Sequence, residues 1–378
     1  MESVNKILKS KKCFGCGLCK RLCPENAISL NANEKSGFWE ISVNQNICVN
    51  CGLCLKNCPA NEDCLPKADT VGAHDEIVLC HSANSGVRYS ATSGGAVNSI
   101  IRYLIESKTA DSVITVKENI DAPFDTEIVK IDKSNLDLLL ESPRSFASRY
   151  VSLPVLSELP EKGENTAVVG TPCQIKALSA YDKENCFIKI GIVCSAATSY
   201  NASRLIKNKL ADSSYHIYYR GNGWPGFNTL TNGENTYETP HGKSYFEKMY
   251  SSQLFKRYSC RFCPSHFAEE ADLSFFDFWN KEEIKSEKTG NSACIIRSDR
   301  GRKIYNGAAE GGYVQTVKSI AENDALNAQG VALKYKTKRP YGSIYFKITD
   351  FLFNSGLYKL IPISFYKYLC RFLAKTVK

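Results

Sequence analysis

Residues 13–24 read Cys-Phe-Gly-Cys-Gly-Leu-Cys-Lys-Arg-Leu-Cys-Pro, and residues 48–59 read Cys-Val-Asn-Cys-Gly-Leu-Cys-Leu-Lys-Asn-Cys-Pro. Both have the form C-x2-C-x2-C-x3-C-P. In such a run three cysteines on one tight loop reach three corners of an iron–sulfur cubane, and the fourth points away to the cubane of the other run. The spacing assigns Cys13, Cys16, Cys19 and Cys58 to one 4Fe–4S cluster, and Cys48, Cys51, Cys54 and Cys23 to a second. Gly15, Gly17 and Gly52 stand between ligands, where peptide N–H groups approach the cluster sulfurs. Zinc needs only four ligands and does not use a third cysteine followed by Cys-Pro. Met1–Lys12 is polar and lysine-rich and lacks the apolar core of a secretory signal. The cysteines are therefore expected as ligands or free thiols in a reducing cytoplasm rather than as disulfides.

Outward from these runs, Ala27–Leu30 and Phe38–Ile41 alternate around a turn and read as two short strands. They complete a ferredoxin-type module over residues 1–62. Residues 63–75, with Pro66 and Gly72, read as a linker, in which Cys64 has no assigned role. A chain of 378 residues is too long for this module alone, and residues 76–335 can bury the core of a larger α/β domain with a mixed sheet, α+β overall. The formal charge of +9 suggests nucleic acid. Three clusters at about −2 each would cut it to roughly +3. No helix-turn-helix pattern or basic aromatic stripe is present, so nucleic acid is not an expected partner.

In the main domain a strand over Glu76–Cys80 is followed by Thr92-Ser93-Gly94-Gly95 and a helical pattern through Ile100, Ile101, Leu104 and Ile105. That places Thr92–Gly95 at a helix N-terminus, either as a plain cap or as an anion site. A strand over Thr166–Val169 leads through Gly170, Thr171, Pro172, Cys173 and Gln174 into another helix, with Thr171 as N-cap and Pro172 at the first helical position. A strand over Cys186–Val193 ends at Cys194. Strand–helix–strand order implies a parallel sheet with Cys173 and Cys194 at the carboxyl ends of neighbouring strands, the edge where open α/β sheets bind ligands. Tyr215–Gly226 reads as a strand entering a glycine-rich loop that carries Arg220 and Trp224. Cys260-x2-Cys263 follows, then a strand over Ala271–Trp279 with Asp272 and Asp277 near its ends. Cys173, Cys194, Cys260 and Cys263 form a third group that could hold zinc, hold a third 4Fe–4S cluster, or stay unligated. Proximity to an electron-carrying module favours the cluster. Cys80, Cys186, Cys294 and Cys370 read as buried structural thiols. No G-x-G-x-x-G fingerprint occurs, so no direct NAD(P)H site is expected.

Ser93-Gly94-Gly95, Ser148-Arg149-Tyr150-Val151, Val169–Gln174, Gly191–Cys194, Gly223-Trp224 and Cys260-x2-Cys263 through Asp272-x4-Asp277-x-Trp279, in this order, resemble the coenzyme F420 hydrogenase/dehydrogenase beta-subunit family fused to a two-cluster ferredoxin. The resemblance runs to about residue 335. It implies a flavoprotein oxidoreductase in which FAD or FMN exchanges electrons between clusters and a two-electron, small-molecule substrate. By this resemblance Thr92, Ser93, Gly94, Gly95, Arg149, Thr171, Pro172 and Gln174 would line the flavin, and Arg220 and Trp224 the substrate. That substrate would be a deazaflavin-like coenzyme or a cell-surface polysaccharide precursor. A redox partner protein (ferredoxin, or a hydrogenase or dehydrogenase subunit) is implied, and so is the rival role of an electron-transfer subunit without turnover of its own. Phe276 and Asn280 replace two glycines of the family's Gly-Asp-Phe-Trp-Gly segment.

No run approaches the eighteen apolar residues of a membrane span. The tail over 336–378 is basic and aromatic: from Tyr341 onward it has six Lys/Arg and one acid, Asp350. It reads as amphipathic helices that either dock on the main domain or lie peripherally on an anionic membrane.

Overall fold

The computed structural model describes residues 3–61, 70–146, 152–212, 214–338, 344–366 and 368. The first module contains an antiparallel hairpin of β1 (Ile28–Asn33) and β2 (Phe38–Val43), and the two cysteine loops end in one-turn helices, Leu18–Arg21 and Leu53–Lys56.

The main domain is built on eight strands: β3 (Glu76–Ser82), β4 (Ser112–Glu118), β5 (Thr126–Ile131), β6 (Thr166–Gly170), β7 (Ile188–Ile192), β11 (Leu273–Asp277), β12 (Ser292–Ile296) and β13 (Val314–Ser319). A separate three-stranded sheet holds β8 (His216–Tyr218), β9 (Phe227–Thr231) and β10 (Thr236–Pro240). The large sheet runs in the order β13-β3-β12-β11-β7-β6-β4-β5. β4, β6, β7 and β11 pair in parallel. β12 runs against both β11 and β3, so β3 is parallel to β11. The sheet is mixed, as the α/β expectation requires. Its central strands are near-continuous apolar runs because both faces are covered. In the helix Ala96–Glu106, Ile100, Ile101 and Leu104 are fully buried against the sheet, each contributing about 1.5–3 kcal/mol.

The consequence for function is that β3, β4, β6, β7 and β11 all deliver their carboxyl ends to one edge. Thr92–Gly95 follow β3, Thr171–Gln174 follow β6, Cys194 follows β7, and Asp277–Trp279 follow β11. Gly170 pairs with Gly191, which makes the strands before Cys173 and Cys194 immediate neighbours. β7 is shorter than the strand over Cys186–Val193 that the sequence suggests. Cys186 lies outside it and half-buried, where Asp182 accepts from its peptide N–H, whereas Cys80 and Cys294 are fully buried.

The cysteine module is packed into the main domain. Cys16 and Leu18 share one apolar cluster with Ile114, Leu153, Val155, Leu156 and Val168. Gly17 has φ +90°, and a side chain there would meet the Pro154 carbonyl oxygen at 2.4 Å. The β1–β2 turn docks against residues 199–204: Tyr200 N–H donates to the Gly37 carbonyl and Ser199 Oγ to the Ser36 carbonyl.

The tail docks as well. Phe353, Tyr358 and Tyr366 surround Phe255 with ring centroids 5.3–5.9 Å away, and Asp350 pairs with the buried Arg261 at 2.5 Å. Among the described residues no helix is long and apolar enough to cross a membrane. The helix Gly330–Lys338 spans the boundary placed between 335 and 336.

Candidate functional site: three cysteine groups and the carboxyl edge of the sheet

Two hollows in the N-terminal module are lined by the two ligand sets that the spacing predicts. One is lined by Cys13, Cys16, Cys19 and Cys58 together with Val4, Ile41, Pro59 and Cys54. The other is lined by Cys23, Cys48, Cys51 and Cys54. Cys23 and Cys58 thus each lie beside the cysteines of the other run. Peptide N–H groups of Gly15, Ala27 and Val4 donate to the sulfurs of Cys13, Cys23 and Cys54 at 3.2–3.4 Å. Burial and the mutual repulsion of neighbouring thiolates push the Cys16 and Cys19 thiols well up, and Cys58 to about 11. Such crowded, buried sulfurs ionise readily only around a cation, which fits iron ligation.

The third group also converges. Burial raises the Cys173 thiol, and the charges of Cys263, Cys194 and Cys260 raise it further. Cys194 is pushed to about 12 by burial, with Cys260 and Cys263 adding and Lys336 and Lys256 opposing. Ala197 N–H donates to Cys260 Sγ at 3.3 Å. Among the described residues no three His, Cys, Asp or Glu side chains are gathered as ligands of one metal ion.

The segment Arg257–Cys260 joins this group to the first module. Ser259 Oγ donates to the Cys13 carbonyl at 2.9 Å. Arg257 Nη2 donates to the Trp39 carbonyl at 2.9 Å, and its guanidinium lies 4.4 Å from the Phe38 ring centroid. Gly15 makes room for it, since a side chain there would meet the guanidinium at 3.1 Å. Only one hydrogen bond and one residue separate the backbone of Cys13 from Cys260.

On its other side the third group reaches the sheet edge. The fully buried His266 bonds through Nδ1 to the Cys194 carbonyl at 3.0 Å and faces Gln329 Oε1 at 3.3 Å through Nε2. Burial and the nearby Lys336 lower its pKa to about 3. Gln329 Nε2 donates to the Asp277 carbonyl at 2.7 Å. Both carboxylate oxygens of Asp277 accept from Arg220 Nη2 at 2.8 Å. The Arg220 guanidinium lies 5.5 Å from the Trp224 ring centroid and 5.1 Å from that of Trp279, while Trp279 stacks with Trp224 and with His241. Trp224 Nε1 is buried with no hydrogen-bond partner among the described residues, a donor that a ligand oxygen could satisfy.

The Arg220–Trp224 loop sits beside Thr92–Gly95. Gly223 N–H donates to the Tyr89 carbonyl and Trp224 N–H to the Lys288 carbonyl. Gly94 and Gly95 have φ near +72° and pack closely on Asn291 and Val87, so fold packing alone accounts for them. No side chain caps the helix that begins at Ala96, which leaves its N-terminus suited to a phosphate. Ser93 Oγ is used by the Asn291 carbonyl at 3.1 Å. Gln174 is likewise committed to the fold: Oε1 accepts from Thr171 N–H at 2.8 Å, and Nε2 donates to the Leu153 carbonyl at 2.6 Å. Thr171 Oγ1 lies 3.4 Å from Cys173 Sγ, and Pro172 opens the helix and is buried. Arg149 and the rest of Ser148–Val151 lie outside the described residues.

The two departures from the glycine pattern have structural jobs. Phe276 is in the core, edge-on to Phe267, and Asn280 caps the helix Lys281–Ser286 by accepting from Glu282 N–H at 2.9 Å.

The family models match in three consecutive blocks: a 4Fe-4S dicluster domain over residues 12–61, the N-terminal part of the coenzyme F420 hydrogenase/dehydrogenase beta subunit over 77–159, and its C-terminal part over 163–322. The chain belongs to the coenzyme F420 hydrogenase/dehydrogenase beta-subunit family. Among its relatives, the coenzyme F420 hydrogenase subunit beta of Methanococcus voltae is 21% identical over 65% of this chain and 85% of its own length. The F420-dependent formate dehydrogenase subunit beta of Methanocaldococcus jannaschii is 24% identical over 70% of this chain and 68% of its own length. A chain of the F420-reducing [NiFe] hydrogenase complex from Methanosarcina barkeri shares the fold, with a TM-score of 0.54 at 18% identity over 73% of this chain and 94% of that chain. The protein is therefore an iron–sulfur member of a family of oxidoreductase beta subunits.

Sequence reading missed Arg257, Ser259, His266, Gln329 and Lys336. Arg257, Ser259 and His266 stand within three residues of Cys260 or Cys263 in the chain and could have been flagged by that. Gln329 and Lys336 come from a remote turn and helix, and no local pattern marks them.

Proposed function

We propose that electrons pass between the two ferredoxin-type clusters and a third 4Fe–4S cluster on Cys173, Cys194, Cys260 and Cys263, and from there to a flavin, FAD or FMN, at Thr92–Gly95. Ser259 carries this proposal, because its bond to the Cys13 carbonyl sets Cys260 against the first cluster loop. When bound, the flavin supplies the change from single electrons to a hydride pair. The uncapped helix would hold its phosphate, and Thr171 lies on the same carboxyl edge at the end of β6, with three strands between β3 and β6. Arg220, fixed by Asp277, and Trp224, with its free indole N–H, would orient a small substrate. The names of the relatives favour a deazaflavin-like coenzyme over a polysaccharide precursor.

One observation favours the rival role of an electron-transfer subunit that feeds a partner enzyme: Arg220 is 3% exposed and already neutralised by Asp277. The relatives are named as subunits, which supports a redox partner of hydrogenase or dehydrogenase type in the cytoplasm. The tail supports a peripheral membrane contact, since Phe351 and Leu360 are 63% and 76% exposed and its only acid is taken up by Arg261. Replacing both with serine would release the protein from anionic vesicles and leave it folded.

The test is anaerobic single-turnover reduction. Dithionite-reduced protein, freed of excess reductant, should transfer electrons to an added deazaflavin, and Cys260→Ser should abolish the transfer while the ferredoxin clusters still reduce. Transfer only after a partner chain is added would support the subunit role. Unchanged transfer in Cys260→Ser would refute the path.

A further inference from the structure

Lys336 is 5% exposed, and its ammonium group donates to the Ser265 carbonyl at 2.5 Å and approaches the Cys263 carbonyl at 3.4 Å. Lys256 also acts on the third group, with its charge felt at Cys194 and Cys260. Its backbone bridges to Thr198, and its ammonium group sits over the rings of Tyr250 and Tyr335 at 5.0 and 5.9 Å. Among the described residues no carboxylate pairs with either lysine. The nearest acid with an influence on Cys263 is Glu269, whose carboxylate is engaged by Ser265 Oγ at 3.1 Å and Phe267 N–H. A buried ammonium without a counter-ion is costly. Here the available negative charge is that of the four sulfurs. The first module has one buried cation beside its proximal loop, Arg257, which is shared with the Trp39 carbonyl and the Phe38 ring, and among the described residues no lysine is buried among its ligands.

We infer that Lys336, assisted by Lys256, makes the third cysteine group the strongest electron acceptor of the three cluster sites. This rests on the third cluster proposed above. Taking up one electron from a ferredoxin-type cluster moves a thiolate-ligated 4Fe–4S centre from about −2 to about −3. Positive charge held beside the ligand loop, as Lys336 is by the Cys263 and Ser265 carbonyls, stabilises the more negative form more than the less negative one. The lysines would thereby draw electrons inward and hold them next to the His266–Gln329–Asp277 connection.

The test is an EPR-monitored redox titration of anaerobically reconstituted protein, with iron counted in every sample. In wild type, the third cluster should reduce first. Lys336→Gln should weaken its electron affinity about tenfold, a 59 mV fall for a one-electron couple, and leave the other two signals in place. Lys336→Arg should restore it. If Lys336→Gln does not retain the cluster, Lys256→Gln should show the same direction of shift. About twelve irons with an unmoved potential in the glutamine variants would overturn this inference and leave the third cluster standing. About eight irons in wild type would overturn both.

Discussion

The two kinds of cysteine site in this molecule are built in opposite ways. The eight ligands of the first module come from two runs of twelve residues and are positioned by local turns. Cys23 and Cys58 cross to the other run's hollow, and Cys54 lines both. The four of the third group come from a helix N-terminus after β6, the end of β7 and a loop before β11, and only the parallel sheet brings them together. Local spacing can declare a site in sequence, whereas convergence needs a topology. The first kind can move between proteins as a cassette. The second belongs to the main domain.

That contrast can be broken by removing ligands. Cys58→Ser should strip the cluster of Cys13, Cys16 and Cys19, about four irons, although Cys58 belongs to the other run. Loss of the second cluster's signal instead would contradict the crossing. Cys260→Ser should also remove about four irons but leave both ferredoxin signals intact, measured by Mössbauer spectroscopy. Loss of all three would mean that the third group is not an independent site.

The seam between the regions gives smaller effects. Gly17→Ala places a side chain against the Pro154 carbonyl at a left-handed φ and should cost about 1–3 kcal/mol, read by denaturant unfolding and earlier proteolysis of the first module.

Smaller still is a pH effect. His216 is buried between Glu118 and Asp125, and Asp125 also accepts from Lys207 Nζ at 2.6 Å and Tyr200 OH at 2.8 Å. Burial lowers the pKa of His216, but hydrogen bonds and charge from Asp125 and Glu118 outweigh it, so the net shift is upward. The stabilisation from the charged ring is complete below its ordinary pKa of about 6.5 and fades as pH rises through the raised value. Because Tyr200 also holds the β1–β2 turn, thermal stability should fall gently on the alkaline side. His216→Gln should flatten that slope and cost about 1–3 kcal/mol at low pH. A wild-type profile that rises with pH there would contradict the assignment.

The legible parts of the molecule were those with a short period or spacing. The ligand runs, the hairpin, the strand–helix–strand unit around Cys173 and the helix start at Thr171 follow from patterns within about a dozen residues, whereas the helix after Thr92–Gly95 begins without a side-chain cap. Cys260-x2-Cys263 was visible, but its docking on Cys13 was not, because a serine hydroxyl bonding a carbonyl 246 residues away leaves no periodic trace. The resemblance put Arg220 beside a substrate, and the fold gives it Asp277 as a partner from β11. Phe276 stood out only as a replaced glycine, and the fold places it in the core against Phe267. In each case a long-range contact decided the role of a residue whose type alone was ambiguous.

The central claim is a continuous chain of three clusters leading to a flavin. Iron and released flavin per chain, measured on protein purified and reconstituted without oxygen, test it most directly. About twelve irons and one flavin are predicted. About eight irons and no flavin would contradict the account, leaving a ferredoxin module carried by a domain without a redox centre of its own.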